Sequence, residues 1–228
     1  VILIILVDIL IFISMERSAF FLTMLSIIFI LFFTKKYKLI RLLCFTASVI
    51  VIVTLTIKNE ALKDRMFLHP IKALTQTIEK KHVLTDVHDS LYKTSFKMFE
   101  QNKILGIGPK MYRKHSRDER YQVGSSSFNT HPHNTYIQLL AETGLIGFAI
   151  FILFVITFLF KTFLHFKNLL LKKNHLSDFS VCIMAAIFIN IWPIIPTGNF
   201  FNNWMSIVYY LPLGFYFSSL CQQEKSIY

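Results

Sequence analysis

The feature that most limits what this chain can become is a set of apolar runs, each near the thickness of a bilayer, interrupted once by a long polar stretch. A helix needs roughly 20 apolar residues, within a range of about 17–25, to cross the hydrocarbon core. Residues 1–13, 18–33, 39–57, 135–160, 179–195 and 204–221 read as six such runs, the first of them cut short. The composition agrees: 54% of the residues are hydrophobic and only 16% charged, against about 25% charged in a soluble domain. The expected fold class is all-α, a polytopic transmembrane helix bundle of about six spans with a large helical extracytoplasmic loop. The chain begins at Val1, without Met and inside an apolar run, so an N-terminal part is expected to precede it.

Orientation follows from the short loops. Lys35, Lys36, Lys38 and Arg41 lie between the second and third runs, and Lys161, Lys167, Lys172 and Lys173 between the fourth and fifth. Short basic loops stay on the cytoplasmic side. Alternation then places 15–17, 58–134 and 197–203 outside. The expected organisation is 1–57 and 135–221 as two sets of three spans, 58–134 as an extracytoplasmic loop domain, and 222–228 as a cytoplasmic tail. The formal net charge of +11 fits lysines and arginines flanking spans better than a nucleic-acid partner, so no nucleic acid is expected. Cys44, Cys182 and Cys221 are scattered in apolar runs with no disulfide or metal spacing.

Within the long loop, residues 73–102 carry apolar side chains at helical spacing (Leu74, Ile78, Leu91, Phe96, Phe99), which predicts one or two surface helices. Gly106, Gly108 and Pro109 end that pattern and form a turn that aims Lys110 and Arg113. With no strand–helix unit around it, this Gly-x-Gly is not a dinucleotide site. Residues 116–130 read as an irregular, mobile loop. Lys93, Lys97, Lys103, Lys110, Arg113, Lys114, Arg117 and Arg120 make this half of the loop basic. That suits an anionic substrate, although most such charges simply face solvent.

The strongest chemical signal is His131, Pro132, His133 and Asn134 at the start of the fourth run. Pro132 limits helix extension upstream, and Asn134 is a good N-cap. Asn134, Gln138 and Glu142 are four apart and share one face. Gly144 and Gly147 allow a close helix neighbour. Polar side chains entering a span face the bundle or a watery cavity; the alternative is that the cap is only a cap and the histidines only surface residues. Arg17 is the second signal. It either reaches into the bundle as a functional cation, or snorkels to headgroups or pairs with Glu16. A metal held by His115, His131 and His133 is conceivable, but no ligand pair sits on one rigid element beside an acid. No metal and no cofactor are expected. No nucleophile motif is present, and Asp118 with Glu119 lies in the irregular loop, a poor setting for glycosidase-type chemistry.

His133 and Asn134, followed after nine residues by Gly144 and after two more by Gly147, resemble the signature of the O-antigen ligase and polymerase superfamily. Glu16 to Ala19, Lys97 to Phe99, Leu105 to Pro109 with the following Tyr112 and Arg113, and Asn199 to Trp204 resemble other segments of that family. The resemblance covers nearly the whole chain, as the C-terminal half of a protein with about a dozen spans. It implies a multi-pass enzyme of the bacterial inner membrane, working on its periplasmic side. Such an enzyme moves a glycan from an undecaprenyl-diphosphate carrier to an acceptor hydroxyl, on the lipid A core in ligases and on another lipid-linked repeat in polymerases. It implies His133 and Arg17 as catalytic residues, and the two are expected to face each other across a cavity between the long loop and the bundle. Asn134 and His131 are expected at the substrate. A second arginine that the family often carries is replaced here by His88, with Lys93 one turn further on, and Arg113 is the first choice to stand in for it. The rival from another class is a non-catalytic transporter of the lipid-linked glycan. A transporter concentrates polar or broken helices at the midplane, whereas the polar groups here cluster at the outer surface.

Overall fold

The computed structural model describes residues 2–72, 75, 85–124, 127–173 and 176–225. Leu74 and Ile78, which carry part of the predicted loop helix, lie outside the described residues. Among those described, regular structure is entirely helical. The helices are α1 (Ile2–Ile13), α2 (Arg17–Phe33), α3 (Lys38–Lys58), the short α4 (Glu60–Lys63) with a π-helical turn Asp64–Leu68, α5 (Asp86–Gln101), the short α6 (Tyr112–His115), α7 (Thr135–Leu170), α8 (Asp178–Asn190) and α9 (Asn203–Lys225). Two of them, Lys38–Lys58 and Thr135–Leu170, are long and apolar enough to cross a membrane, and Arg17–Phe33 and Asp178–Asn190 are shorter apolar helices.

The chain divides into two compact units. The first comprises Val1–Lys81, His165–Ile189 and Phe215–Tyr228. Here α1 packs on α2 and α3, with Phe12, Ile52, Leu62 and Met66 as a buried core. Asp8, also buried, accepts a hydrogen bond from Ser48 at 2.9 Å, which satisfies a polar group that would otherwise be costly there. The basic α2–α3 turn is tied to α8 through one carboxylate. Asp178 accepts the backbone N–H groups of Lys35 and Lys36 at 3.2 and 3.1 Å and pairs with Arg41 at 3.5 Å.

The second unit comprises His82–Leu164 and Asn190–Gly214. Its core is Met98, Tyr112, Tyr121 and Ala141, with Ile107 against it. The central feature is a break in α7. Gly144 has φ 63 and ψ −163, backbone values open essentially to glycine alone. In an unbroken helix Leu145 and Ile146 would donate to the carbonyls of Ala141 and Glu142. Instead those two carbonyls accept from Ile107 at 3.1 Å and Gly108 at 2.9 Å, while Leu145 and Ile146 donate to Lys103 at 2.8 Å and Ile104 at 3.3 Å. The helix and the 103–108 segment thus exchange partners, so the carbonyls and amides freed by the break are bonded again.

This crossing explains the Gly-x-Gly. A Cβ on Gly106 would lie 2.6 Å from the Glu142 carbonyl oxygen and from the Gly144 nitrogen. The helix neighbour expected at Gly144 and Gly147 is not what the glycines meet. Gly144 admits the 103–108 segment, and Gly147 leaves room for the side chain of Thr143 in its own helix. Beyond the break, residues 145–170 extend about 39 Å, more than the roughly 30 Å hydrocarbon core.

Candidate functional site

The start of α7 is built by caps and clamps. Asn134 is the N-cap: its Oδ1 accepts from the amides of Tyr136 at 3.0 Å and Ile137 at 3.2 Å, as its side chain suits it to do. Its Nδ2 donates to the Pro193 carbonyl at 2.8 Å. Thr197 N–H donates to the His133 carbonyl at 2.9 Å, and the Tyr136 hydroxyl donates to the Ile191 carbonyl at 2.6 Å. Residues 131–136 are therefore bound along 191–197, a partner that no local pattern announces.

Held this way, His133 adopts φ 58. A left-handed backbone is uncommon outside glycine, although histidine adopts it more readily than most residues, and here the Thr197 bond to its carbonyl helps to hold it. Its ring centroid lies 4.2 Å from that of His131 and 6.4 Å from that of His88. His88 comes from α5, with Tyr92 one turn on, 6.2 Å from it ring to ring. The Tyr92 hydroxyl in turn faces the Asn134 side chain. Burial pulls the pKa of His88, His131 and His133 below the ordinary value; for His133 the neighbouring His131 and His88 add to it, and for His131 the Thr197 carbonyl opposes it. The cluster is thus biased to neutral imidazoles. Among the described residues no group of three or more His, Cys, Asp or Glu side chains is placed to hold a metal ion.

The predicted site residues separate. His88, His131, His133 and Asn134 come together. Lys93 does not join them: five residues from His88, it turns away and pairs with Asp89 at 2.7 Å. Arg113 is exposed on α6. Its neighbour Tyr112 is fully buried, with a hydroxyl pKa raised chiefly by burial. Arg17 belongs to the first unit. It is the first residue of α2, whose first turn holds no acid and whose N-cap Glu16 makes no side-chain cap. Its Nη1 lies 3.5 Å from His69 Nδ1. A guanidinium at the positive end of a helix, beside unsatisfied N–H groups, is a setting suited to an anion. Asp118 is committed to Arg120, whose hydrogen bonds hold its carboxyl down to about 2. Sequence reasoning missed Tyr92, Asn129 and Thr197. Only Tyr92 left a signal, one helical turn from His88.

Gln138 and Glu142, expected on one polar face, are wholly buried, and both are hydrogen-bonded there. Gln138 Nε2 donates to Glu142 and to Asn199, each at 2.8 Å, and its Oε1 accepts from Phe200 N–H at 3.0 Å. Glu142 accepts the amide of Tyr112 at 2.6 Å, and the neighbouring amides of Lys110 and Met111 face its carboxyl. Lys110 at φ 65 bends these successive N–H groups into a nest around the carboxyl. The hydrogen-bond partners of Glu142 among the described residues are all donors. Glu142→Gln therefore sets an NH2 against donors in either orientation and is expected to lower stability by roughly 1–3 kcal/mol. A fall in the unfolding temperature of the detergent-solubilised protein would register it; an unchanged value would contradict the nest.

Residues 1–152 match the family model described as O-antigen ligase. The chain belongs to the O-antigen ligase family. Members of this family are membrane enzymes of glycosyltransferase type, ligases or polymerases of O-antigen. The matched stretch of this O-antigen ligase family chain takes in Arg17, His88, Arg113, His133, Asn134, Gly144 and Gly147. Neither the curated proteins nor the solved structures contain a significant match to it.

Proposed function

We propose that the protein is an O-antigen ligase, which moves a glycan from undecaprenyl diphosphate to a hydroxyl of the lipid A core on the periplasmic face of the inner membrane, in a multi-pass bundle of six spans here. The observation that carries this reading is His133: an imidazole whose burial favours the neutral form, in a chain of this family, held at a left-handed backbone position by the bond from Thr197 to its carbonyl. Strain of this kind collects where a side chain must be aimed. Arg17 is assigned to the diphosphate, because a guanidinium keeps its charge and grips two oxygens at once. His133 is assigned to the reacting oxygens. His88, Asn134 and His131 are assigned to the substrate around it, and Lys93 and Arg113 to the anionic part of the glycan lipid. Leaving-group charge that develops on phosphate needs donors already in place. The reaction calls for no metal and no nucleotide sugar.

The test is His133→Ala in the full-length parental protein, with the glycan and the lipid that carries it both read out. Long chains that accumulate on the diphosphate carrier while the core stays bare are the expected result. A core that receives only single repeats would make the protein a polymerase. Unchanged glycans at normal protein abundance would refute the catalytic assignment and favour a transporter.

A further inference from the structure

His131 and His133, separated by one residue, face hydrogen-bond partners of opposite kind. His131 Nε2 lies 3.0 Å from the Thr197 carbonyl oxygen. A carbonyl only accepts, so the His131 proton is on Nε2. Its Nδ1 faces the Thr130 hydroxyl at 2.9 Å, so both of its ring nitrogens are engaged by the protein.

At His133 the logic reverses. Asn129 Oδ1 accepts the Thr130 backbone N–H at 2.7 Å. That bond decides which end of the Asn129 amide is oxygen, an assignment that otherwise rests on choice. The other end, the NH2, lies 3.1 Å from His133 Nε2. An amide nitrogen only donates, so Nε2 is the acceptor and the proton of the neutral ring stands on Nδ1. An imidazolium would set Nε2–H against the amide NH2, donor against donor. The charged and titratable groups that act on the ring are His131 and His88, and both disfavour its protonation. Among the described residues none accepts the Nδ1 proton.

We propose that Asn129 is a positioning residue that holds His133 as the Nδ1–H tautomer, so that the ring meets the diphosphate-linked donor by giving a hydrogen bond and not by taking a proton. The proposal rests on the glycosyl-transfer reading above. In that step the bond from the anomeric carbon to the diphosphate oxygen breaks and its electron pair stays on the oxygen. The acceptor oxygen bonds to the anomeric carbon, and its proton passes to the departing diphosphate. A phosphate with a second pKa of about 6 is a competent proton acceptor beside an imidazole whose own basicity is reduced. Nδ1–H is then directed at the oxygen where charge collects. A base would need a free lone pair, and Asn129 occupies the one on Nε2.

Two measurements test this. Nitrogen-15 spectra of the full-length parental protein in liposomes, with the His133 signals identified by their loss in His133→Ala, should show the Nδ1–H form; an Nε2–H form overturns the proposal. The second is Asn129→Asp, nearly isosteric but an acceptor where the amide was a donor. It should draw the proton to Nε2 and slow transfer by roughly 10²-fold, the effect of losing one preorganised donor. If His133 is a base, the new carboxylate supports it, and activity at or above the parental level overturns the proposal. Where His133→Ala is inactive and Asn129→Asp fully active, the transfer reading stands and the positioning role falls. Where His133→Ala is itself fully active, both fall.

Discussion

Gly144→Ala is expected to leave little folded protein in the membrane. A Cβ at φ 63 and ψ −163 would collide with the Ile104 carbonyl and lie 2.6 Å from the Gly106 nitrogen. These atoms are backbone and cannot swing aside. Relief requires the 103–108 segment to withdraw, and with it go the four hydrogen bonds exchanged across the break. Four bonds at about 1 kcal/mol each, together with roughly 1–3 kcal/mol of backbone strain, equal a large part of the 5–15 kcal/mol by which domains are typically stable. Gly214→Ala is the control. It lies in α9 with nothing within 4 Å of an added Cβ, and it should behave as the parent. The measurement is the monodisperse fraction and the unfolding temperature of the two variants in detergent. Equal values for both would mean that the chain does not cross itself at Gly144.

Arg17→Ala is expected to slow glycan transfer by roughly 10²–10³-fold, the cost of removing one donor aimed at developing charge. Arg17→Lys should recover only part of this, since an ammonium keeps the charge and loses the two-pronged geometry. A residue that merely snorkels would accept lysine without loss, and full activity of Arg17→Lys would end the assignment. Its nearest recorded partner, His69, gives no competing reason for a guanidinium, because a lysine can also donate to an imidazole nitrogen.

The helices were legible because bilayer-length apolar runs leave few alternatives. Their ends were less so. The fourth run, read to 160, continues as helix to Leu170, since Lys161 and Lys167 are good helix formers whose stems tolerate an apolar flank. The fifth, read to 195, stops at Asn190, ahead of Pro193 and Pro196, because a residue before proline avoids helical angles. The cap at Asn134 was readable from its own chemistry. The break at Gly144 was not: a glycine in an apolar helix looks the same whether it admits another helix or ends a turn, and the segment that distinguishes the two lies far upstream. Within the site, periodicity placed Gln138 and Glu142 on one face correctly but said nothing of their work, which is to fasten loops. Asn129 and Thr197 reach the histidines through irregular backbone, where no period operates.

The exchange of hydrogen bonds at Gly144 also sets an order of assembly. Residues 103–108 are synthesised before 141–146, yet each holds the partners of the other. Until the later segment has emerged and its helix has been broken at the right place, the earlier one has nowhere to bind. The turn that nests Glu142, and the core around Tyr112, must therefore wait for the beginning of the following helix. Biogenesis would thus finish threading the chain before the histidine cluster closes, and a nascent protein arrested at this junction should present residues 103–112 to proteases and chaperones.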